Sequence, residues 1–351
     1  MILLFTVEGD GHLPPIARRL AERGAAFRVV DPAGFPASGE LRVVYGDAGL
    51  ERCELRSRGD LIDLRAVTAV WNRRPAPPAA DARLREAHRK IAESASEAAL
   101  GGAWSFMDCL WLPGPPNALE RTEFKMTQLA VAASLGLAIP RTVIANSPDE
   151  ALEMYERTGG RMIAKPLTRG AVPGRDGEDR LAYTRVVRRR DLKDLHTLRW
   201  SPLILQEYVP KHVELRVTVV GSEIFPAEIE SQGSARSRDD WRRYDLAKTP
   251  YRRHALPADV AERLHGVVRA FGLCYGAIDL VLTPDGRYVF LEINGNGQWL
   301  WIEELTQMPI ADAIASLLMR GRGAAPVALP APDRRADALR GAHAPDVFAR
   351  V

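Results

Sequence analysis

No apolar run in this sequence approaches the ~20 residues a membrane-spanning helix requires, so a transmembrane helix is not expected. Met1–Phe5 is too short for a signal peptide, and acidic Glu8 and Asp10 follow it. Cysteine is scarce. Cys53, Cys109 and Cys274 lie far apart with no CxxC pair, which argues against a disulfide framework. They read as reduced thiols of a cytoplasmic protein, with Cys109 and Cys274 as small core residues. No charge of one sign dominates either: 48 basic and 45 acidic residues leave a net +3, too little to argue for a nucleic-acid partner. What remains is a globular composition, 46% hydrophobic over 351 residues, enough for two or three packed subdomains.

The chain opens as a βαβ unit: a strand over Ile2–Val7, a helix over Pro14–Arg23, and a strand over Phe27–Val30 closed by Asp31-Pro32. Gly9-x-Gly11 lacks the third glycine of a dinucleotide fingerprint. The opening is therefore expected to be Rossmann-like without that cofactor, and His12 to start a helix rather than to catalyse. Residues 39–70 read as several short strands ending at Val67–Trp71. Trp71-Asn72-Arg73-Arg74-Pro75 follows, whose guanidinium forks could hold carboxylates or phosphates, or simply form a solvated turn. Asp81–Trp104 predicts a long helix, halted by Pro113–Asn117, and Ala118–Leu135 predicts another with Lys125 inside it.

Ser147-Pro148-Asp149-Glu150 is a capping-box helix start. Met162–Leu167 reads as a buried strand that nevertheless presents Lys165, which asks for a partner at the strand end. Residues 169–177 form a glycine-rich loop able to fold its N–H groups over phosphates. A strand over Leu181–Arg188 and a short helix over Asp191–Leu198 are expected next. Leu203–Val209 is an apolar strand that runs into Gln206-Glu207-Tyr208-Val209. On the strand after it, Glu214 and Arg216 share a face by alternation, either for a site or as a mutual ion pair. Residues 231–251 are polar and arginine-rich, either lining an acceptor site or forming a plain loop. Pro257–Phe271 and Ile310–Leu318 predict helices, and 321–351, with no periodicity, is expected to be disordered.

The most informative stretch is Tyr275–Glu304. Strand-like runs Ala277–Thr283 and Tyr288–Asn294 flank Pro284-Asp285-Gly286, strong hairpin-turn chemistry. Both runs are apolar except at Asp279, Glu292 and Asn294. Glu292 and Asn294, two apart, share one face. If the register brings Asp279 to that face, three oxygen ligands converge, a set suited to Mg²⁺ with phosphates completing its shell. Otherwise they line the solvated face of an antiparallel pair.

The Glu-x-Asn strand end, with Gly295, Gly297, Gln298 and Trp299 after it, resembles the metal-binding end of the ATP-grasp ligases. The wider string LEINGNGQWLWIE, followed by Pro309-Ile310, resembles the graspetide (microviridin-type) synthetases, ATP-grasp enzymes that macrocyclise ribosomal peptides. Where those usually carry proline this chain has Gly295, which would loosen the loop. The Arg-Arg-Pro element also resembles that family.

The resemblance implies an α/β (α+β) ATP-grasp fold preceded by a Rossmann-like pre-ATP-grasp domain. Its expected parts are 1–115, a central subdomain 116–210, a C-terminal subdomain 211–320, and a tail 321–351. It also implies ATP and Mg²⁺ as cofactors. Lys125 and Lys165 would hold phosphate oxygens, Gln206, Glu207, Tyr208 and Val209 would form the adenine hinge, and Glu214 would hold the ribose. Asp279, Glu292 and Asn294 would hold the metal, and Arg216 would act catalytically on developing charge. The implied reaction activates a peptide carboxylate as an acyl phosphate and closes ω-ester or ω-amide rings in a ribosomally made precursor, with a leader and an acidic core. Neither nucleic acid nor membrane is an expected partner, and the resemblance admits a homodimer. Leader docking would use the helix Asp191–Leu198, where Asp191 and Asp194 either receive a basic leader residue or only favour the helix N-terminus. The alternative activity is a carboxylate–amine ligase adding an amino acid to a protein tail or peptide. No His/Asp base pair is evident in the sequence.

Overall fold

A computed structural model describes residues 1–168, 171–173, 179–181, 184–233 and 249–321. Most of the glycine-rich run 169–177, most of the arginine-rich segment 231–251, and the tail 322–351 lie outside these described residues.

β1 (Ile2–Phe5), buried at all four positions, feeds the crossover helix α1 (Leu13–Glu22) and pairs in parallel with β2 (Phe27–Val30). A meander of β3 (Gly39–Gly46), β4 (Gly49–Ser57) and β5 (Asp60–Asp63) follows. Then β6 (Ala69–Asn72), the long helix α2 (Glu86–Phe106) and β7 (Leu110–Leu112) complete a parallel sheet in the order β2-β1-β6-β7. This is the Rossmann-like opening expected from the sequence. α2 starts at Glu86 rather than Asp81, because Asp81 binds the N–H and guanidinium of Arg83 in a local turn that competes with the helix.

The single helix expected over Ala118–Leu135 is two: α3 (Pro116–Arg121) and α4 (Lys125–Ser134). Thr122 donates its hydroxyl back to the Leu119 carbonyl, and its own carbonyl is taken by the Gln128 side-chain amide, so the ladder stops there. The break makes Lys125 the first residue of α4 rather than an interior position of one long helix.

The central segment comprises β8 (Thr142–Ala145), α5 (Pro148–Arg157), β9 (Met162–Lys165), β10 (Ala171–Pro173), β11 (Asp179–Leu181), β12 (Arg185–Val187) and β13 (Leu203–Glu207). Four of its strands form an antiparallel sheet in the order β12-β9-β13-β8. Ser147 caps α5 as expected, accepting from the Glu150 N–H. The strand expected over Leu181–Arg188 is divided between β11 and β12. The helix expected over Asp191–Leu198 is a 3₁₀ helix running Arg189–Trp200. Its three-residue period aligns Leu195 and Leu198, which both pack on the core of this segment.

β14 (Val213–Val220), β15 (Glu223–Ile229), β16 (Tyr251–Arg253), α6 (Ala258–Ala270), β17 (Tyr275–Leu282), β18 (Tyr288–Asn294), α7 (Leu300–Thr306) and α8 (Ile310–Arg320) complete the chain. The strands form an antiparallel sheet in the order β16-β15-β14-β17-β18. Its two faces are covered differently. Under α6 lies one core, with Leu215, Val217, Leu264, Phe271 and Phe290. A second core is shared with the opening domain, where Ile2, Leu4 and Trp71 meet Tyr275, Trp299 and Ile314. Among the described residues, the central sheet has a small cluster of its own around Met154, Met162 and Leu205. Among the described residues no helix is long and apolar enough to cross a membrane.

Candidate active site

The hairpin register decides the first question. Asp279 on β17 lies directly opposite Glu292 on β18, and Ala277 opposite Asn294, with a bulge after Asp279. Directly opposed side chains share a face, so the three expected ligands converge. The Asn294 amide donates to Asp279 Oδ2 at 3.2 Å and to Glu292 Oε1 at 3.3 Å. Each carboxylate also has a cation. Arg216 Nη1 reaches both Asp279 oxygens at 3.0 Å, and Lys125 Nζ reaches Glu292 Oε2 at 2.7 Å. Among the described residues no group of three or more His, Cys, Asp or Glu side chains is arranged so that it could hold a metal ion. Two carboxylates and an amide are the kind of set Mg²⁺ takes together with substrate phosphates.

Arg216 and Glu214 lie on β14, all of whose residues are buried, so the solvated-strand reading fails. They do not pair with each other. Burial is the largest influence and opposes the Arg216 charge, but Asp279, Tyr275 and Glu292 together outweigh it and raise its pKa. Glu214 is held by Lys211 Nζ at 2.9 Å and by the Ser231 hydroxyl.

Across from the hairpin, β9 and β13 of the central sheet pair with Ile204 opposite Lys165. Lys165 Nζ donates to the Gln206 side-chain oxygen at 2.8 Å, and the Gln206 amide donates to the Thr142 hydroxyl at 2.9 Å. Gln206 thus meets Lys165 through its side chain. A cleft between the two sheets is lined by Ile163, Lys165, Gln206–Val209, Lys211, Glu214, Asp279, Leu291 and Glu292. Every residue expected to hold nucleotide or metal, Lys125 and Asn294 included, lines this cleft or touches a residue that does.

The leader pair lies elsewhere. Asp191 accepts the Arg188 N–H at 2.8 Å and the Arg185 guanidinium at 3.1 Å, which holds its carboxyl below the usual range. Asp194 is exposed, and its carbonyl accepts the Thr197 hydroxyl. The geometry at Asp191 is that of a helix cap.

Sequence reasoning missed Gln128 and left the parts played by Gly295, Gly297, Arg73 and Arg74 unassigned or misread. Gln128, 1% exposed on α4, grips the backbone of Ile293 from both sides: its Oε1 accepts the Ile293 N–H at 3.0 Å, and its Nε2 donates to the Ile293 carbonyl at 2.9 Å. It therefore fixes the strand between Glu292 and Asn294. Gly295 does not loosen the loop after them. A Cβ there would lie 2.8 Å from Thr122 Oγ1 and 3.0 Å from Leu119, so the site is enclosed. Gly297 is equally constrained, since a Cβ would lie 2.6 Å from Arg216 Nη2. Arg73 and Arg74, given no definite role from sequence, both reach the Asn296 carbonyl.

Comparison with known proteins agrees with this geometry. Residues 1–117 match the family model described as the MvdD pre-ATP grasp domain. The macrocyclase MdnB from Microcystis aeruginosa MRC is 31% identical, with 90% of this chain and 98% of that chain covered and a TM-score of 0.74. The Chryseobacterium gregarium RiPP-associated ATP-grasp ligase, solved with ADP and a leader and core peptide, is 27% identical, with 91% and 96% covered and a TM-score of 0.84. A curated relative, the probable alpha-L-glutamate ligase of Enterobacter sp. (strain 638), is 27% identical over 210 residues, 58% of this chain. The chain spans 65% of that relative's length, just under two thirds. The ATP-grasp fold and its pre-domain are thus both present, and with nearly all of MdnB matched the chain belongs to the family of ATP-grasp macrocyclases.

Proposed function

We propose that this chain is an ATP-dependent macrocyclase that closes side-chain ester or amide rings in a ribosomally made precursor peptide. The observation that carries the reading is the likeness along nearly the whole chain to a ligase solved with ADP and both leader and core peptides. The convergence of Asp279, Glu292, Asn294 and Arg216 at the cleft between the two sheets supports it. On this reading the working parts are 1–115, 116–210 and 211–320, and the protein works in the cytoplasm.

Gln206–Val209 would present the hinge edge to adenine, Glu214 would accept the ribose hydroxyls, and Lys165 and Lys125 would hold phosphate oxygens. Asp279, Glu292 and Asn294 would hold Mg²⁺, which when bound neutralises charge on the terminal phosphates. A peptide Asp or Glu carboxylate attacks the γ-phosphorus; ADP leaves and an acyl phosphate remains. A Ser or Thr hydroxyl or Lys amine then attacks the carbonyl carbon, phosphate leaves, and the nucleophile's proton is released. Arg216, fixed in place before reaction, is aimed at negative charge in both steps.

The curated glutamate ligase favours a second reading, addition of a free amino acid to a peptide carboxylate. Mass spectrometry of a precursor peptide encoded beside this chain, incubated with enzyme, ATP and Mg²⁺, separates the two. Loss of one water per ring, dependent on peptide Asp or Glu, is expected. A mass gain matching an added amino acid would overturn cyclisation in favour of ligation.

A further inference from the structure

Arg73 is 2% exposed at the end of β6, where the sheet of the opening domain meets the C-terminal subdomain. A buried guanidinium is costly unless its fork is used, and burial indeed lowers its pKa despite the nearby Asp10 charge. It does not line the nucleotide cleft. On one side it faces the Asp10 carboxylate as an ion pair, Nε lying 3.5 Å from Oδ2, and packs Nη2 against the His12 ring, 3.4 Å from the Nε2 that can accept once Nδ1 donates to Asp10. On the other, Nη1 donates to the carbonyl and to the side-chain oxygen of Asn296, at 3.2 and 3.3 Å. The Asn296 amide returns to the Asn72 carbonyl at 2.8 Å.

Asn296 stands two residues after Asn294, in a loop several of whose other carbonyls are also held. Asn294 O accepts the Gly297 N–H at 3.2 Å, Gly297 O accepts the Tyr275 hydroxyl at 2.7 Å, and Gln298 O accepts Arg216 Nη2 at 3.2 Å. A shift of Asn296 therefore moves Asn294 on one side and the Arg216 anchor, with its Asp279 contacts, on the other. Packing alone does not require this linkage, since the apolar core around Trp71, Tyr275 and Trp299 already joins the two parts.

We propose that Arg73 is a positioning residue for the metal ligands: anchored by Asp10 and His12, it fixes Asn296 and so sets Asn294 and Arg216 from outside the ATP-grasp subdomains. The inference rests on the ATP-grasp reading of the cleft. Partners of metal ligands typically change metal affinity by about 10–100-fold when lost.

The test uses Arg73→Lys, which keeps the charge but loses the fork, and Asn296→Ala, which removes the loop's side-chain contacts. ADP binding is measured by calorimetry against Mg²⁺ concentration, with hydrogen exchange of amides 294–298 in the nucleotide-free protein. Both variants should need about 10–100-fold more Mg²⁺ for half-saturation, with Mg²⁺-free ADP affinity unchanged and faster exchange in the loop. Should Arg73→Lys fail to fold, Asn296→Ala decides. An unchanged Mg²⁺ requirement in a folded variant overturns the proposal. If the unaltered protein shows no Mg²⁺-dependent ADP binding, the cleft reading fails instead, and unchanged loop exchange in the variants then overturns the anchoring by itself.

Discussion

The two cation–carboxylate pairs at the hairpin look alike but differ in burial, and burial decides what each does when broken. Lys125 and Glu292 have side chains 20% and 23% exposed, whereas Arg216 and Asp279 are 6% and 8% exposed. Glu292→Ala leaves a lysine that water can reach, so the fold should survive while ATP turnover is lost. A folded variant with unaltered turnover would refute the metal assignment. Arg216→Met leaves Asp279 buried and short of its main partner, a change that costs about 3–5 kcal/mol in comparable pairs. Urea denaturation should show that loss, well beyond the Glu292→Ala effect. Asp10 gives a pH signature. Burial pushes its carboxyl up, but the His12 ring, the His12 N–H and the Arg73 charge outweigh it and hold the pKa well below the usual range. Its stabilisation is then complete above an unfolded-state value near 4 and is lost as pH falls toward the folded value. The stability advantage of the native protein over Asp10→Asn should shrink as denaturation is repeated from about pH 6 down to pH 3; a gap that widens on acidification would contradict the assignment.

At the scale of elements, the hairpin was legible because its signal is local: turn chemistry, two apolar runs, and three polar exceptions with a shared face. Register remained open, since pairing Asp279 with Glu292 depends on a bulge that alternation does not announce. The break between α3 and α4 was illegible for a related reason. Gln128 reads as an ordinary polar helix position, yet its side chain satisfies the Ile293 backbone, more than a hundred residues away in sequence. Arg73 was visible as an unusual residue, but its partner Asn296 lies in another subdomain. Function carried by long-range pairing leaves no period in the sequence. Gln128→Leu keeps the volume and orphans both Ile293 groups, so it should cost about 1–3 kcal/mol for each buried group left unsatisfied. It should also weaken Mg²⁺-dependent ADP binding, because both flanking residues are proposed metal ligands. Calorimetry on the folded variant checks the second effect, and metal dependence matching the native protein would reduce Gln128 to a stability residue.

For the whole molecule, the cleft walls are unequal partners. The hairpin wall belongs to a sheet packed between two large cores, one of them continuous with the opening domain. The opposite wall, β9 and β13 with Lys165 and Gln206, rests on the small cluster around Met154, Met162 and Leu205. Opening free energy follows buried apolar contact, so the central sheet should open locally while β14 and β17 stay closed. A nucleotide touching both walls binds only the closed arrangement. At a ligand concentration of 100 times its Kd, it adds about 2.7 kcal/mol against any opening that breaks the site. Amides of β9 and β13 should therefore exchange faster than those of β14 and β17 in the free protein, and slow by about 100-fold with saturating ADP and Mg²⁺. Amides of β14 and β17, held by the two large cores, should exchange mainly through global unfolding and so slow no more than the ligand raises overall stability. In Glu292→Ala the part of the protection that depends on Mg²⁺ should vanish, and the part given by nucleotide alone should persist, since Lys165, Gln206 and Glu214 are untouched. Equal exchange in the two sheets without nucleotide, or protection confined to the hairpin wall, would mean that the central sheet does not move as the cleft's weaker half.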